Sequence, residues 1–544
     1  MSTPAPQLTR PTPPQYAAAL PEKSSEREVA ACMGIAKRSS IVRNVLSNWS
    51  GYIFSVVVGF FLSPYIVNHL GTVGYGVWSL VISLTGYLGL LDLGVRGAVT
   101  RYVARFHAQG DHQRSSQVAS AAMAIFAGTG IATIGLSALL AVAVIGHMNI
   151  PPQYLAAARL VLVLTGVSIA ASLINGVYGG MLVALQRFDL SNGIEIVTTG
   201  FRALSVVLAL HYGGGLVMLA CIQAAFSLGR LVVNFVLLRK LYPEVRVRPR
   251  SVDPANLRLI FSFSVFSFLL HVSFDLIYAS DLVVIGAYLP VAAVTFYTIG
   301  ASLVEYTRSL VSGISQTMTP LASSLEARQG TKGVRELVLE NSPWGTVVAL
   351  PVAITFLLRG NTFIELWMGR QFAEPSGEVL RILALATVFG ASNLVVASVL
   401  LGISRHKPLG PALLVEGVCN LGLSTWLVRK MGIIGVAWGT LIPSLLTNLA
   451  FIPWYLRRVL AISPWRYAYS AWAKPALAAI PFAAVTYAAE QFWQADNLFL
   501  FFLQVALCLS FLVVCDWRIC LSSHQRFEYV RKFSSALGRV SVRT

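Results

Sequence analysis

HLGTVGYGVWSLVISL (His69–Leu84) and YLPVAAVTFYTIGASL (Tyr288–Leu303) lie 219 residues apart and align without a gap. Leu70 meets Leu289, Trp78 meets Tyr297, and Ser83 and Leu84 meet Ser302 and Leu303. A second pair, GGGLVMLACI from Gly213 and GIIGVAWGTLI from Gly432, opens an apolar run after a glycine turn at the same offset of 219. Identities within each pair are few, but a shared offset marks a duplicated unit. Each period holds six apolar runs of about 20 residues, the length that crosses a hydrocarbon core. Six is even, so both halves insert in the same orientation. Two six-helix bundles related by an axis along the membrane normal follow, the parallel-repeat arrangement of transporters.

Outward from that repeat, the chain reads as an all-α polytopic membrane protein with about fourteen spans. They fall roughly at 45–67, 76–96, 117–146, 158–184, 191–211, 216–238, 259–279, 282–313, 344–366, 379–402, 409–428, 433–456, 475–493 and 497–515. Span eight is too long for one straight crossing, and Pro290 predicts a break near its outer end. The expected organisation is a disordered cytoplasmic tail (1–40), an N-terminal lobe (41–239), a basic cytoplasmic linker (240–258), a C-terminal lobe (259–458), two extra helices (459–515) and a basic tail (516–544). Residues 1–40 are rich in Pro, Ala, Ser and charge and lack an apolar signal region, so the first span is expected to act as its own insertion signal.

Composition agrees. Apolar residues make up 56% of the 544, charged residues 12%, and mean hydropathy is +0.69. A soluble chain carries about twice that charge. The net charge of +18 does not indicate nucleic-acid binding, because the basic residues lie between apolar spans rather than on one face. Of 41 Lys and Arg, 31 fall in one alternate set of loops and tails, and five (Arg359, Arg370, Arg381, Arg429, Lys430) in the opposite set. That bias puts both termini in the cytoplasm. The outward loops are too short to house an enzyme active site. Six cysteines form no C-x-x-C pair, and those inside apolar runs read as small buried hydrophobes; no metal-ligand set is present. The absence of GxxxxGK[ST] excludes a P-loop for ATP.

The chain resembles the polysaccharide (O-antigen and exopolysaccharide) flippase branch of the multidrug/oligosaccharidyl-lipid/polysaccharide exporter superfamily. The carrying segments are Pro64–Arg105, GGMLVALQRFDLSNGIEI (Gly179–Ile196), SDLVVIGAYLPVAAVTFYTIGASL (Ser280–Leu303), FIELWMGRQF (Phe363–Phe372), LRILALA (Leu380–Ala386), LLGISRHKPLGP (Leu400–Pro411) and MGIIGVAWGTLIPSL (Met431–Leu445). Together they cover about residues 45–458. The resemblance implies a twelve-helix V-shaped core of the kind shared with multidrug exporters, alternating access, and a polyprenyl-diphosphate-linked oligosaccharide moved from the cytoplasmic to the outer face of a bacterial inner membrane. It implies membrane lipids and polysaccharide polymerase or assembly proteins as partners, and no cofactor beyond a proton or sodium gradient.

Charges inside spans supply the candidate site, since each costs about 2.5–3.5 kcal/mol at mid-bilayer unless paired or facing water. Arg202 and Arg230 are candidate diphosphate holders, because a guanidinium donates a planar fork to phosphate oxygens. The structural alternative is a pair with Glu195 or another carboxylate. Arg308 is a third candidate, with an i, i+3 pair to Glu305 as its alternative. Glu195, Asp275 and Glu416 are candidate ion-coupling carboxylates. Asp275 and Asp281 are expected near an outer interface, Asp92 and Arg96 as a local pair, and His271 as a satisfied core histidine. Trp49, Tyr75, Trp367, Trp454, Trp465 and Trp472 are expected as interfacial anchors, and Gly176 with Gly180 as a close-packing GxxxG. Competing readings are a drug or cation antiporter of the same superfamily, a membrane glycosyltransferase, polymerase or ligase using the same lipid-linked donor, and a scaffold protein.

Overall fold

A computed structural model describes residues 23–247, 254–520 and Arg531. Residues 1–22 of the expected N-terminal tail, the middle of the linker (248–253) and most of the C-terminal tail lie outside the described residues. Among the described residues the chain is helical throughout, without a strand. The N-terminal lobe comprises α1 (Lys23–Gly86), α2 (Val95–Ala108), α3 (His112–Ala143), α4 (Pro152–Ala184), α5 (Phe188–His211) and α6 (Leu216–Leu241). The C-terminal lobe comprises α7 (Pro254–Tyr278), α8 (Ser280–Tyr288), α9 (Ala292–Ser315), α10 (Met318–Met368), α11 (Arg370–Gly402), α12 (Leu409–Leu446) and α13 (Ile452–Leu460). A short α14 (Pro464–Ala468) leads to the extra hairpin of α15 (Lys474–Phe492) and α16 (Leu498–Ile519).

Ten described stretches are long and apolar enough to cross a membrane. Three of them, Ser50–Ala108, Ala292–Met368 and Leu409–Leu460, each run through two expected spans, while 475–493 is not among the ten. Gly71, Gly330 and Gly432 interrupt α1, α10 and α12 with φ of +70°, +61° and +61°. Two expectations change here. The break at Pro290 divides two spans, not one: α8 completes the seventh crossing to Tyr288 and the next begins at Ala292. Helix α1 starts at Lys23, inside the expected disordered tail, because the prolines stop at Pro21 and Ala, Glu, Lys and Arg follow.

The repeat is visible in the geometry. Gly213 and Gly432, the matched glycines, both take positive φ, +82° and +61°, which only glycine adopts without strain. The two opening segments also pack against each other. A Cβ on Gly76 would lie 2.2 Å from the Val291 carbonyl oxygen, and Thr295 Oγ1 donates to the Thr72 carbonyl at 2.6 Å. Residues 76 and 295 are repeat mates, as are 72 and 291, so one contact is made twice about a pseudo-twofold axis. Around it Val77, Leu80, Val81 and Leu84 share a buried core with Val284, Ile285, Val294 and Tyr297.

Asn149 of the N-terminal lobe closes this end, which the charge bias assigns to the outer face. Its side chain donates to the Ala287 carbonyl at 2.9 Å, its backbone N–H to Gly286, and its carbonyl accepts from Val291 N. These are the orphan groups left where α8 stops. Gly176 and Gly180 behave as expected: a Cβ on either would press on Phe126 or Val99 at 3.2 Å.

The hairpin is fastened to α10 by a buried polar cluster. Arg359, 1% exposed, donates from Nε to Glu490 at 2.7 Å and from Nη2 to Gln504 at 2.7 Å. Its guanidinium also lies 4.6 Å from the Phe501 ring centre, and Thr362 donates to Glu490. Arg359 was counted with the outward loop charges; the kink at that residue instead turns it under the hairpin. Trp367, expected as an interfacial anchor, is buried as well: it stacks on Phe60 of α1 at 4.9 Å and donates to the Phe60 carbonyl at 2.9 Å. Phe363, Phe501 and Phe502 complete this aromatic clasp between α1, α10 and α16. Of the described cysteines only Cys508 is buried, and Cys221 and Cys419 are exposed.

Candidate functional site

The N-terminal lobe carries a polar stripe on α5 and α6. In α5 the exposed apolar residues Val197, Phe201, Leu204 and Leu208 recur every three or four positions and form one face. Glu195, Thr199, Arg202 and Val206 repeat the same spacing two residues earlier, which is about 200° around the helix. The lipid-type stripe and the Arg202 stripe therefore look in opposite directions. Arg202 is exposed on that second face and belongs to none of the ion pairs among the described residues. Arg230 takes the structural alternative: it forms an ion pair with Glu195 across the α5–α6 interface. One turn further on, Asn234 donates to Asn175 at 2.8 Å. A cation facing away from lipid and left unpaired can receive an anion; Arg230 has one already.

The C-terminal lobe encloses a cavity of about 340 Å³ between α7, α8, α9, α11 and α12. Arg308 and Glu416 line it; Glu195, Asp275, Arg202 and Arg230 do not. Arg308 is bonded to Glu305 at 2.9 Å and lies 3.9 Å from the Tyr278 ring centre, so the i, i+3 alternative is the one observed. Asp92 and Arg96 also pair as expected, at 3.5 Å. Asp275 uses its backbone carbonyl to accept from Tyr87 at 3.3 Å. His271, one turn before Asp275, is exposed and not a core residue.

The cavity contains a carboxylate that the sequence reading placed at an interface. Asp281 is 2% exposed and stands just past Ala279, where α7 gives way to α8. Its Oδ2 accepts from Tyr297 at 2.5 Å and Thr440 at 2.8 Å, while Oδ1 is buried without a partner. Behind it Asn420 donates to Thr440 at 3.0 Å and to the Ile277 carbonyl at 3.2 Å, and Ser424 donates to the Val436 carbonyl at 3.3 Å. Two helical stripes generate this cluster. Glu416, Asn420 and Ser424 are spaced by four on the first half of α12, and Thr440, Ser444 and Asn448 by four after the Gly432 turn. That spacing inside apolar spans was the signal available in the sequence. Among the described residues no three His, Cys, Asp or Glu side chains converge on a metal site. One carboxylate among hydroxyl, amide and carbonyl oxygens at a helix break suits a proton or a monovalent cation, the way transporters hold coupling ions.

Ten membrane-length apolar stretches among the described residues and a repeated pair of opening segments define a multi-pass membrane protein. Residues 41–326 match the family described as "Polysaccharide biosynthesis protein", and the chain belongs to that family. A candidate O-antigen transporter of Shigella flexneri is 20% identical over 406 residues, 73% of this chain and 93% of that protein. The membrane protein EpsK of Bacillus subtilis (strain 168) is 22% identical over 442 residues, 76% and 83% of the two chains. Among solved structures, the lipid II flippase MurJ in an inward closed conformation superposes with a TM-score of 0.67 over 87% of this chain and 98% of its own, at 13% identity. An inward-facing multidrug resistance transporter of the MATE family gives 0.66 over 77% and 98%, also at 13% identity. These likenesses fix the fold.

Proposed function

We propose that this protein carries a polyprenyl-diphosphate-linked oligosaccharide from the cytoplasmic to the outer face of a bacterial inner membrane by alternating access, for polysaccharide assembly. The observation that carries this reading is Arg202, an unpaired cation on the face of α5 opposite its lipid stripe, in a chain of the polysaccharide biosynthesis family. It would hold the diphosphate, with Arg230 beside it and tied to Glu195. A cation at the cargo face disfavours the drug and cation antiporter reading. The charge bias of the loops supports cytoplasmic termini, and assembly proteins that receive the glycan are the expected partners.

Transport in this reading draws on an ion gradient. Glu195 is committed to Arg230 and Asp275 lies off the cavity, so Asp281 carries the coupling ion. Glu305 and Glu416 are the other carboxylates in the cavity wall, and Glu305 is paired with Arg308. In sealed vesicles, imposed pH and sodium gradients should drive transport by the wild type and not by Asp281→Asn. Transport indifferent to both gradients and to membrane potential would remove the coupling.

The cargo is tested in cells lacking the protein but keeping the upstream glycosyltransferases. Lipid-linked oligosaccharide should accumulate on the cytoplasmic face while surface polysaccharide disappears. Normal flipping with assembly stalled outside would point to a polymerase or ligase, and an unchanged lipid-linked pool to a drug exporter.

A further inference from the structure

Glu416 is 6% exposed in the wall of the 340 Å³ cavity. Its Oε2 is buried with no hydrogen-bond partner. In the same wall runs a hydrogen-bonded relay that ends on Ser444. Tyr467 donates to Asn393 Oδ1 at 2.6 Å, Asn393 Nδ2 to Asn448 Oδ1 at 2.8 Å, and Asn448 Nδ2 to Ser444 Oγ at 3.0 Å. Thr447 and Asn448 sit on one turn of π-helix, Thr447–Phe451, a distortion that recurs at functional sites. The carboxylate is thus a buried acceptor in the cavity wall.

A buried acceptor of this kind requires a donor. A phosphate cannot supply one, since like charges would meet. Arg308 is bonded to Glu305 and covered by Tyr278. The remaining wall includes Phe274, Ile277, Leu413 and Ile452, a surface that suits the C–H faces of a sugar ring. The volume lies at the lower end of the ~300–1,000 Å³ of small-molecule sites.

We propose that this cavity is a subsite for one sugar unit of the cargo, a neutral hydroxyl- or acetamido-bearing ring whose O–H or N–H donates to the Glu416 carboxylate. The inference rests on the glycan-translocation reading. It divides the cargo between lobes: diphosphate on the cationic stripe of the first, sugar on the carboxylate of the second. An acidic sugar at this position is rejected by charge.

The test uses the purified full chain in nanodiscs and two probes: undecaprenyl diphosphate, and the lipid-linked oligosaccharide extracted from cells lacking the protein. Glu416→Leu should bind the glycan-bearing lipid roughly tenfold more weakly, the loss of one hydrogen bond to a charged group, and undecaprenyl diphosphate as the wild type does. Glu416→Gln, which keeps the side chain's shape and one acceptor oxygen, should fall between and covers the case in which the leucine variant does not fold. A parallel loss for both probes, or no loss for either, overturns the subsite. So does an effect of Glu416→Gln confined to sodium or pH dependence. If the glycan-bearing lipid does not accumulate, or the wild type binds neither probe, the translocation reading falls first and the subsite with it. Glycan binding equal in wild type and both Glu416 variants overturns the subsite alone.

Discussion

Replacing Arg359 with Met should destabilise the transporter through the hairpin that follows the second lobe. The guanidinium is fully enclosed and makes three contacts: Glu490, Gln504 and the Phe501 ring. Methionine approximates its length but leaves Glu490, 19% exposed, with Thr362 alone. Removing one member of a buried pair costs about 3–5 kcal/mol, because the remaining charge is uncompensated. A desolvated cation–π contact contributes up to about 2 kcal/mol of that total. Removing both charges, Arg359→Met with Glu490→Leu, should restore most of the loss, since apolar replacements of a buried pair are near neutral. Each single loss should therefore exceed that of the double by roughly 3 kcal/mol, about a 150-fold factor in equilibrium. Unfolding in detergent, followed by tryptophan fluorescence, reads this directly; Trp493 accepts a bond from Gln504 in the same cluster. Additive single costs, or a loss below about 1 kcal/mol for Arg359→Met, would refute the assignment of the hairpin's anchorage to this pair.

Arg202→Ala should abolish export with membrane levels unchanged, and Arg202→Lys should restore part of it; quantifying surface polysaccharide beside an immunoblot checks both. Gly76→Ala places a methyl 2.2 Å from the Val291 carbonyl, so it should open the inter-lobe contact and raise thiol labelling of a Thr295→Cys reporter relative to the Gly76 parent. In the connection between α11 and α12, burial pushes the His406 imidazole below its ordinary value, with Lys407 acting in the same direction. Its neutral form is the one the fold prefers, so this contribution is present above a pH of about 6.5 and lost as pH falls. The midpoint of unfolding should drop on acidification, and His406→Gln should reduce the slope.

The duplication was legible because glycine and proline punctuate it: Gly213, Gly432 and Pro290 all stand at the turns their chemistry requires. Local ion pairs were legible too, since Asp92 with Arg96 and Glu305 with Arg308 need only helical spacing. Pairs between helices were not. Glu195 was weighed as a partner for Arg202, which shares its face, and it took Arg230 from the neighbouring helix instead. Asp281 was misread because apolar composition drew the end of a span beside it, and a carboxylate at a span edge looks interfacial. Depth became visible only when α8 carried the helix on to Tyr288. Arg359 and Trp367 show the reverse: each looks like a surface residue until α15 and α16 are laid over Arg359 and α1 is set against Trp367.

The reciprocal contact of Gly76 with Val291 and Thr295 with Thr72 has an evolutionary reading. A surface that meets its own copy, residue i on j and j on i, is how a homodimer closes. A six-helix ancestor could assemble through this patch before its gene was doubled and fused. The present chain has broken that symmetry at the same spot, with glycine on one side and threonine on the other. Each half thereafter became free to diverge, so that only the second carries a carboxylate-lined chamber among the described residues, and a chain cut back to two identical halves would lose that difference.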